Sequence, residues 1–254
     1  MGRKKYTAIA VVIFVLAVCA AAAVWPTDEP SASPETNALL TEFARQHDLR
    51  LSDWPEELVE LLERNPDAEE FVLNYPLKKN ERFEIDLSGL PSGEIPLLFQ
   101  WDERWGYTTY GDGLLGLTGC GPTCLSMVCI GLLNDPSLDP ATVAQFAQKG
   151  GYYVREKGSS WTLISQGGEE LGLQVEELPL DENRIRKSLE AGEPVICAMG
   201  PGEFTTSGHF IVLTRCEDGQ FRVNDPNSKT RSERLWSYED IKDQIRNLWA
   251  CSRG

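Results

Sequence analysis

The chain has 254 residues, 41% hydrophobic and 25% charged, enough for one domain with a real core and some extra segments, and too apolar for a disordered polymer. Its formal charge is −15, and setting aside Arg3, Lys4 and Lys5 leaves 21 basic against 39 acidic residues, so the body repels nucleic acid and no nucleic-acid partner is expected. Seven cysteines lack the spacing of a disulfide framework, and two histidines without a Cys-x-x-Cys pair argue against zinc, so neither metal nor other cofactor is expected.

Residues 1–25 read as a membrane-targeting segment. Arg3-Lys4-Lys5 precedes an apolar stretch from Ala8 to Trp25, and Trp25 stands where an interface residue would. Positive charge ahead of the stretch keeps the N-terminus cytoplasmic, so the body is expected outside the cell membrane. The stretch is just long enough for a signal anchor, the fate expected here. Ala20 to Ala23 also suit a cleavage site, and Leu16-Ala17-Val18-Cys19 resembles a lipobox, which leaves secreted and lipid-anchored products open. Residues 26–35 are polar and proline-rich, an extended linker. Residues 36–91 read as a helical N-terminal region. Leu39, Leu40, Phe43 and Ala44 recur at helical spacing; Asp53 with Glu56 predicts a capping box ahead of the stripe Leu58, Leu61 and Leu62. Asn65-Pro66-Asp67 predicts a further helix carrying Phe71, Val72 and Tyr75 and stopped by Pro76.

Residues 92–254 have the texture of one α+β domain. Pro96 to Asp102 leads into a glycine- and tyrosine-rich loop, Gly106 to Gly119, which lacks the lysine of a phosphate-binding loop. Helices are predicted from Cys120 to about Leu133 and over 140–147, 161–171 and 182–190, the last closed by Gly192. Residues 194–199 read as a buried strand. Trp101, Trp105, Tyr107 and Tyr110 serve either packing or the binding of a peptide or glycan.

Gly119-Cys120-Gly121-Pro122-Thr123-Cys124 opens the apolar run Leu125 to Ile130. The glycines allow a sharp turn and close approach of another backbone, and Pro122 suits the first turn of a helix. A cysteine at a helix N-terminus faces unpaired N–H groups and the positive end of the dipole, both of which favour thiolate. A buried small cysteine at a tight turn fits the same residues.

The apolar runs Gly208 to Thr214 and Phe221 to Asp225 flank Asp218-Gly219 and predict a hairpin. A two-residue Asp218-Gly219 loop would pair Val212 with Asp225 and Leu213 with Asn224, mixing apolar and polar faces. A three-residue loop, Glu217 to Gly219 with a bulge at Gly219, pairs Leu213 with Val223 and Ile211 with Asp225, and is the expectation. His209 and Asp225 then share a face as diagonal neighbours, with Asn227 opposite His209 if pairing continues past Pro226. A carboxylate beside an imidazole fixes its tautomer and stabilises the imidazolium, which a cysteine–histidine pair requires.

Gln100-x-Asp102-x-Arg104-Trp105, Gly119-Cys120-Gly121-Pro122-Thr123, Gly208-His209-Phe210 and Asp225-Pro226 together resemble the papain-like cysteine peptidases related to bacteriocin-leader-processing enzymes, and more closely the "C thirty-nine-like" family. The resemblance implies a papain-like fold, an N-terminal catalytic helix packed on an antiparallel sheet. It also implies Cys120 as nucleophile, His209 as base, Asp225 as orienting residue and Gln100 as side-chain donor of the oxyanion hole. Gln100 precedes Cys120 by a longer insert than in the leader peptidases, so the loop must fold back. No transporter segment follows, which reads against an exporter-coupled version.

The expectation is an extracytoplasmic, membrane-tethered cysteine peptidase or amide hydrolase, monomeric, acting on a peptide or protein. The alternative is a non-catalytic surface binding or interaction domain on the same fold.

Overall fold

The computed structural model describes residues 32–254. The expected signal anchor and most of the expected linker lie outside the described residues. Among the described residues, no helix is long and apolar enough to cross a membrane.

Three helices come first: α1 (Pro34–His47), α2 (Glu56–Arg64) and α3 (Glu69–Lys78). The Ser33 side chain accepts from the Thr36 N–H at 3.2 Å, and Pro34 occupies the first helical position, where no N–H is needed. The capping box expected from Asp53 and Glu56 does not form. Trp54 precedes Pro55 and is held extended (φ −98°, ψ 123°), so α2 starts only after the proline. The Asp53 carboxylate instead accepts from the Arg50 N–H at 2.8 Å in a single 3-10 turn, Leu51–Asp53.

Pro76 does not stop α3, which runs through it to Lys78. A proline inside a helix leaves the carbonyl four residues earlier without a donor. Here that carbonyl belongs to Val72, and the buried indole N–H of Trp54 donates to it at 2.7 Å. The tertiary partner replaces the bond the proline removes.

The connection to the sheet carries α4 (Glu103–Gly106), a small hairpin of β1 (Thr109–Tyr110) and β2 (Gly113–Leu114), and α5 (Leu115–Thr118). Then come α6 (Cys120–Leu133), α7 (Pro140–Lys149) and a second small hairpin, β3 (Tyr153–Val154) and β4 (Gly158–Ser159). The helix expected over 161–171 is a π-helical turn, Leu163–Gly167, continued by α8 (Gly168–Glu170). The remainder is β5 (Leu173–Glu177), α9 (Glu182–Glu190), β6 (Val195–Met199), β7 (His209–Glu217), β8 (Gln220–Asn224), α10 (Lys229–Glu233), β9 (Leu235–Trp236), α11 (Tyr238–Ile241) and β10 (Ile245–Arg253).

Six of these strands form one antiparallel sheet in the order β5-β10-β6-β7-β8-β9. Alternate residues of its central strands go to opposite faces. Ile196, Ala198, Phe210 and Val212 pack with Leu125 and Val128 of α6. Val195, Cys197, Ile211 and Leu213 pack with Ile185 and Leu189 of α9. This is an α+β fold in which the cysteine helix is packed on an antiparallel sheet.

The β7–β8 hairpin corrects the expected turn while keeping its key pairing. Glu217 pairs with Gln220 across a two-residue Asp218-Gly219 loop, both residues having positive φ (48° and 78°). That is the twist-matched hairpin turn an Asp-Gly pair favours. The register then shifts between Leu213 and Arg215, so Leu213 still faces Val223. The bulge sits beside Thr214, in the strand, and not at Gly219. It lets the turn follow local geometry while the apolar residues keep to the core. Pairing ends at Asn224, so Asn227 is not opposite His209.

The trimming of Trp105 (1% exposed), Tyr107 (8%) and Tyr110 (0%) into the interior makes them packing residues, not binding residues. Trp101 is half-buried against Phe99, its ring stacked at 4.6 Å.

Candidate active site

Cys120 opens α6 immediately after Gly119, which serves as N-cap. Neither flanking glycine has room for a side chain. A Cβ on Gly121 would lie 2.5 Å from the Ser159 Oγ, and one on Gly119 would overlap the Leu115 carbonyl. The absence of side chains lets α5 and the β3–β4 hairpin close around the cysteine from both sides. Cys120 is half-buried, whereas Cys124, one turn further along, is fully buried. Burial pushes the Cys124 thiol well up, which keeps it protonated and inert.

His209 begins β7 and is 8% exposed. Its Nε2 lies 2.7 Å from the Asp225 Oδ1. Burial alone would push the imidazole pKa down. The facing Asp225 carboxylate, its hydrogen bond and the neighbouring Cys120 thiol outweigh burial and raise it to about 10. With Nε2 taken by Asp225, Nδ1 is the nitrogen left to meet the thiol.

Asp225 follows the last residue of β8 and has no exposed surface. Burial alone would raise its pKa; the His209 ring and then the Arg231 guanidinium hold it below the ordinary carboxylate range. Oδ1 also accepts from the Asn227 N–H at 2.8 Å, and Oδ2 accepts from the Arg231 Nε. Arg231 escaped the sequence reading. Its only local signal is Ser228, which caps α10 by accepting from the Arg231 N–H at 3.2 Å and so fixes the turn that carries it.

Gln100 is 3% exposed, and its backbone N–H donates to the Pro226 carbonyl at 2.8 Å, beside Asp225. The expected fold-back of the intervening chain is present: Gln100 Nε2 donates to the Gly116 carbonyl at 2.9 Å. Its Oε1 has no partner. Gln100, Cys120, His209 and Arg231 all line one open cleft of about 650 Å³, with Tyr153 and Trp161 among its other walls. The four sequence candidates therefore meet, through side chains drawn from the segment before α4, from α6, from β7 and from the turn after β8. Such a cleft can admit an extended chain, offer it a thiol beside an imidazole, and fix the imidazole's tautomer. Among the described residues, no cluster of three or more His, Cys, Asp or Glu could hold a metal ion.

The profile of the Peptidase_C39 like family matches residues 93–254. No curated protein matches the chain. Among solved structures, the peptidase domain of Streptococcus ComA, a bi-functional ABC transporter involved in a quorum-sensing pathway, is 16% identical, with 54% of this chain and 93% of that chain covered and a TM-score of 0.43. A double glycine motif protease from an AMS/PCAT transporter, solved in complex with its leader peptide, is 16% identical over 64% of this chain and 94% of its own, at a TM-score of 0.43. A structure from Bacillus anthracis described as a C39-like peptidase is 15% identical over 64% of this chain and 96% of its own, at 0.42.

Proposed function

The chain belongs to the Peptidase_C39 like family, and we propose on that premise that it is a cysteine peptidase using Cys120, His209, Asp225 and Gln100. The observation that carries this is the His209–Asp225 contact of 2.7 Å in the cleft that Cys120 also lines. With the proton it shares with Cys120 already resident on His209, the Cys120 sulfur attacks the carbonyl carbon of the scissile bond. The tetrahedral oxyanion is stabilised by the Cys120 backbone N–H and the Gln100 amide. His209 then protonates the leaving amine and afterwards takes a proton from the water that releases the acyl group. Asp225 holds the ring in the tautomer that serves both steps. A peptide or protein is the substrate that this open cleft would take.

The basic-then-apolar character of residues 1–25 supports a catalytic domain tethered outside the cell membrane. The activity is tested by labelling the purified chain and its Cys120→Ala variant with an activity-based thiol probe, then digesting a peptide library. Labelling and cleavage that both vanish in Cys120→Ala are expected. Labelling that survives moves the nucleophile to another cysteine, and no labelling of either form returns the chain to a non-catalytic binding role.

A further inference from the structure

Residues 32–78 lie ahead of the family match, yet they share a core and polar contacts with the matched domain. Phe71 of α3 stacks on Tyr107 at 4.6 Å and 13°, and the Tyr107 hydroxyl donates to the Phe71 carbonyl at 2.8 Å. The Phe71 ring also fills the space over two glycines. A Cβ on Gly106 would lie 2.7 Å from it, and one on Gly116 would lie 2.5 Å from it. Gly116 is the residue whose carbonyl holds the Gln100 amide.

A second set of contacts reaches the other half of the site. Asn65, 7% exposed, donates through Nδ2 to the Asn227 carbonyl. Asn227 in turn donates its N–H to the Asp225 carboxylate. Two residues along, the Asp67 Oδ2 accepts from the Lys229 and Thr230 N–H groups at 3.0 and 3.4 Å, capping the short helix that carries Arg231. Asn65 also lines the cleft itself.

We propose that the N-terminal helices are a positioning module of the active site, in which Asn65 and Asp67 hold the 225–231 turn that aims Asp225 at His209. The inference rests on the peptidase reading. Asn65 ties down the Asn227 peptide, which would otherwise have Trp101 Nε1 as its remaining side-chain donor, at 3.2 Å. Asp67 fixes the start of α10, and with it the Arg231 side chain that grips the second Asp225 oxygen. Without these anchors the turn is free to swing, and Asp225 leaves the imidazole. A misplacement of this kind acts on the chemistry through geometry, not through contact with the reacting atoms.

The test uses the full-length chain and iodoacetamide, a small reagent that needs no binding subsite. Cys120 alkylation is the wild-type rate less that of Cys120→Ala, followed from pH 4 to 11. The groups acting on His209 are Asp225 from the turn after β8 and Cys120 from α6; Arg231 of α10 acts through Asp225, and Glu203 lines the same cleft. Asn65→Ala and Asp67→Ala are expected to slow Cys120 alkylation at neutral pH by about ten- to a hundredfold and to move the alkaline midpoint downward. Asp67→Asn keeps an acceptor oxygen for the Lys229 N–H and is expected to restore both. If Asn65→Ala fails to fold, the Asp67→Ala and Asp67→Asn pair decides by the same readouts. Rates that fall only in proportion to the folded fraction, with the midpoint unmoved, overturn the proposal. A reactive wild-type Cys120 indifferent to these variants also overturns it and leaves the peptidase reading intact. A wild-type Cys120 no faster than a free thiol overturns both.

Discussion

Asp225→Asn is nearly isosteric, so its effect isolates charge and hydrogen bonding. Asp225 accepts at Oδ1 from His209 and from the Asn227 N–H, and at Oδ2 from Arg231. An asparagine offers one oxygen and one NH2 group, so a donor must face a donor whichever way the amide turns. Turned toward His209, the NH2 forces Nε2 to accept, which puts the ring proton on Nδ1, where it blocks transfer from Cys120. A wrong tautomer of this kind costs on the order of 10^3–10^4 in kcat. Turned toward Arg231, it strands a largely buried guanidinium, and removing one partner of a buried ion pair costs about 3–5 kcal/mol, less here because Arg231 keeps some solvent.

The pH dependence gives an independent readout. In the wild type, His209 keeps its proton to about pH 10, so its contribution to stability is full below the unfolded value of about 6.5 and is lost as pH rises toward 10. The slope in that window is about 1.4 kcal/mol per pH unit. Asp225, held low, contributes above about 3.8 and loses that contribution as pH falls through its folded value. In Asp225→Asn burial is opposed only by the Cys120 thiol, so the alkaline limb of Cys120 alkylation should move well down from about pH 10. Thermal melting from pH 4 to 10 should lose its alkaline slope. An Asp225→Asn variant that is alkylated at the wild-type rate, with its limb still near pH 10, would refute the pairing.

Gln100→Ala should lower kcat for a cleaved peptide by about 10²–10³ through the oxyanion while leaving Cys120 alkylation near the wild-type rate, read by peptide hydrolysis beside iodoacetamide kinetics. Trp54→Phe leaves the Val72 carbonyl without a donor and should destabilise the chain by about 1–3 kcal/mol, seen in urea unfolding. Gly116→Ala drives a Cβ into the Phe71 ring; we expect a loss of about 1–3 kcal/mol, mostly recovered in the Gly116→Ala/Phe71→Leu double variant.

Elements whose signal is local were legible in the chain itself. The start of α6 at Gly119-Cys120, its end at Leu133, α9 over 182–190 and the all-apolar β6 follow from glycine, proline and hydrophobic period alone. The shared face of His209 and Asp225 was readable too, because it depends on the parity of Leu213 and Val223, which the core enforces. The turn that joins them was not readable, because a bulge at Thr214 absorbs one residue at no cost to either face. Likewise Pro76 looked like a stop because its remedy, the Trp54 indole, lies 18 residues away.

The amino-acid order by itself thus determined which thiol opens a helix, which histidine and aspartate share a face, and which family the chain resembles. Tertiary structure alone decided what holds them. Arg231 reaches Asp225 only because a serine-capped turn follows β8, and Asn65 and Asp67 reach that turn from more than 160 residues away. Hydrogen bonds of that kind leave no periodicity behind, since each joins single polar groups whose neighbours in sequence are set by other demands.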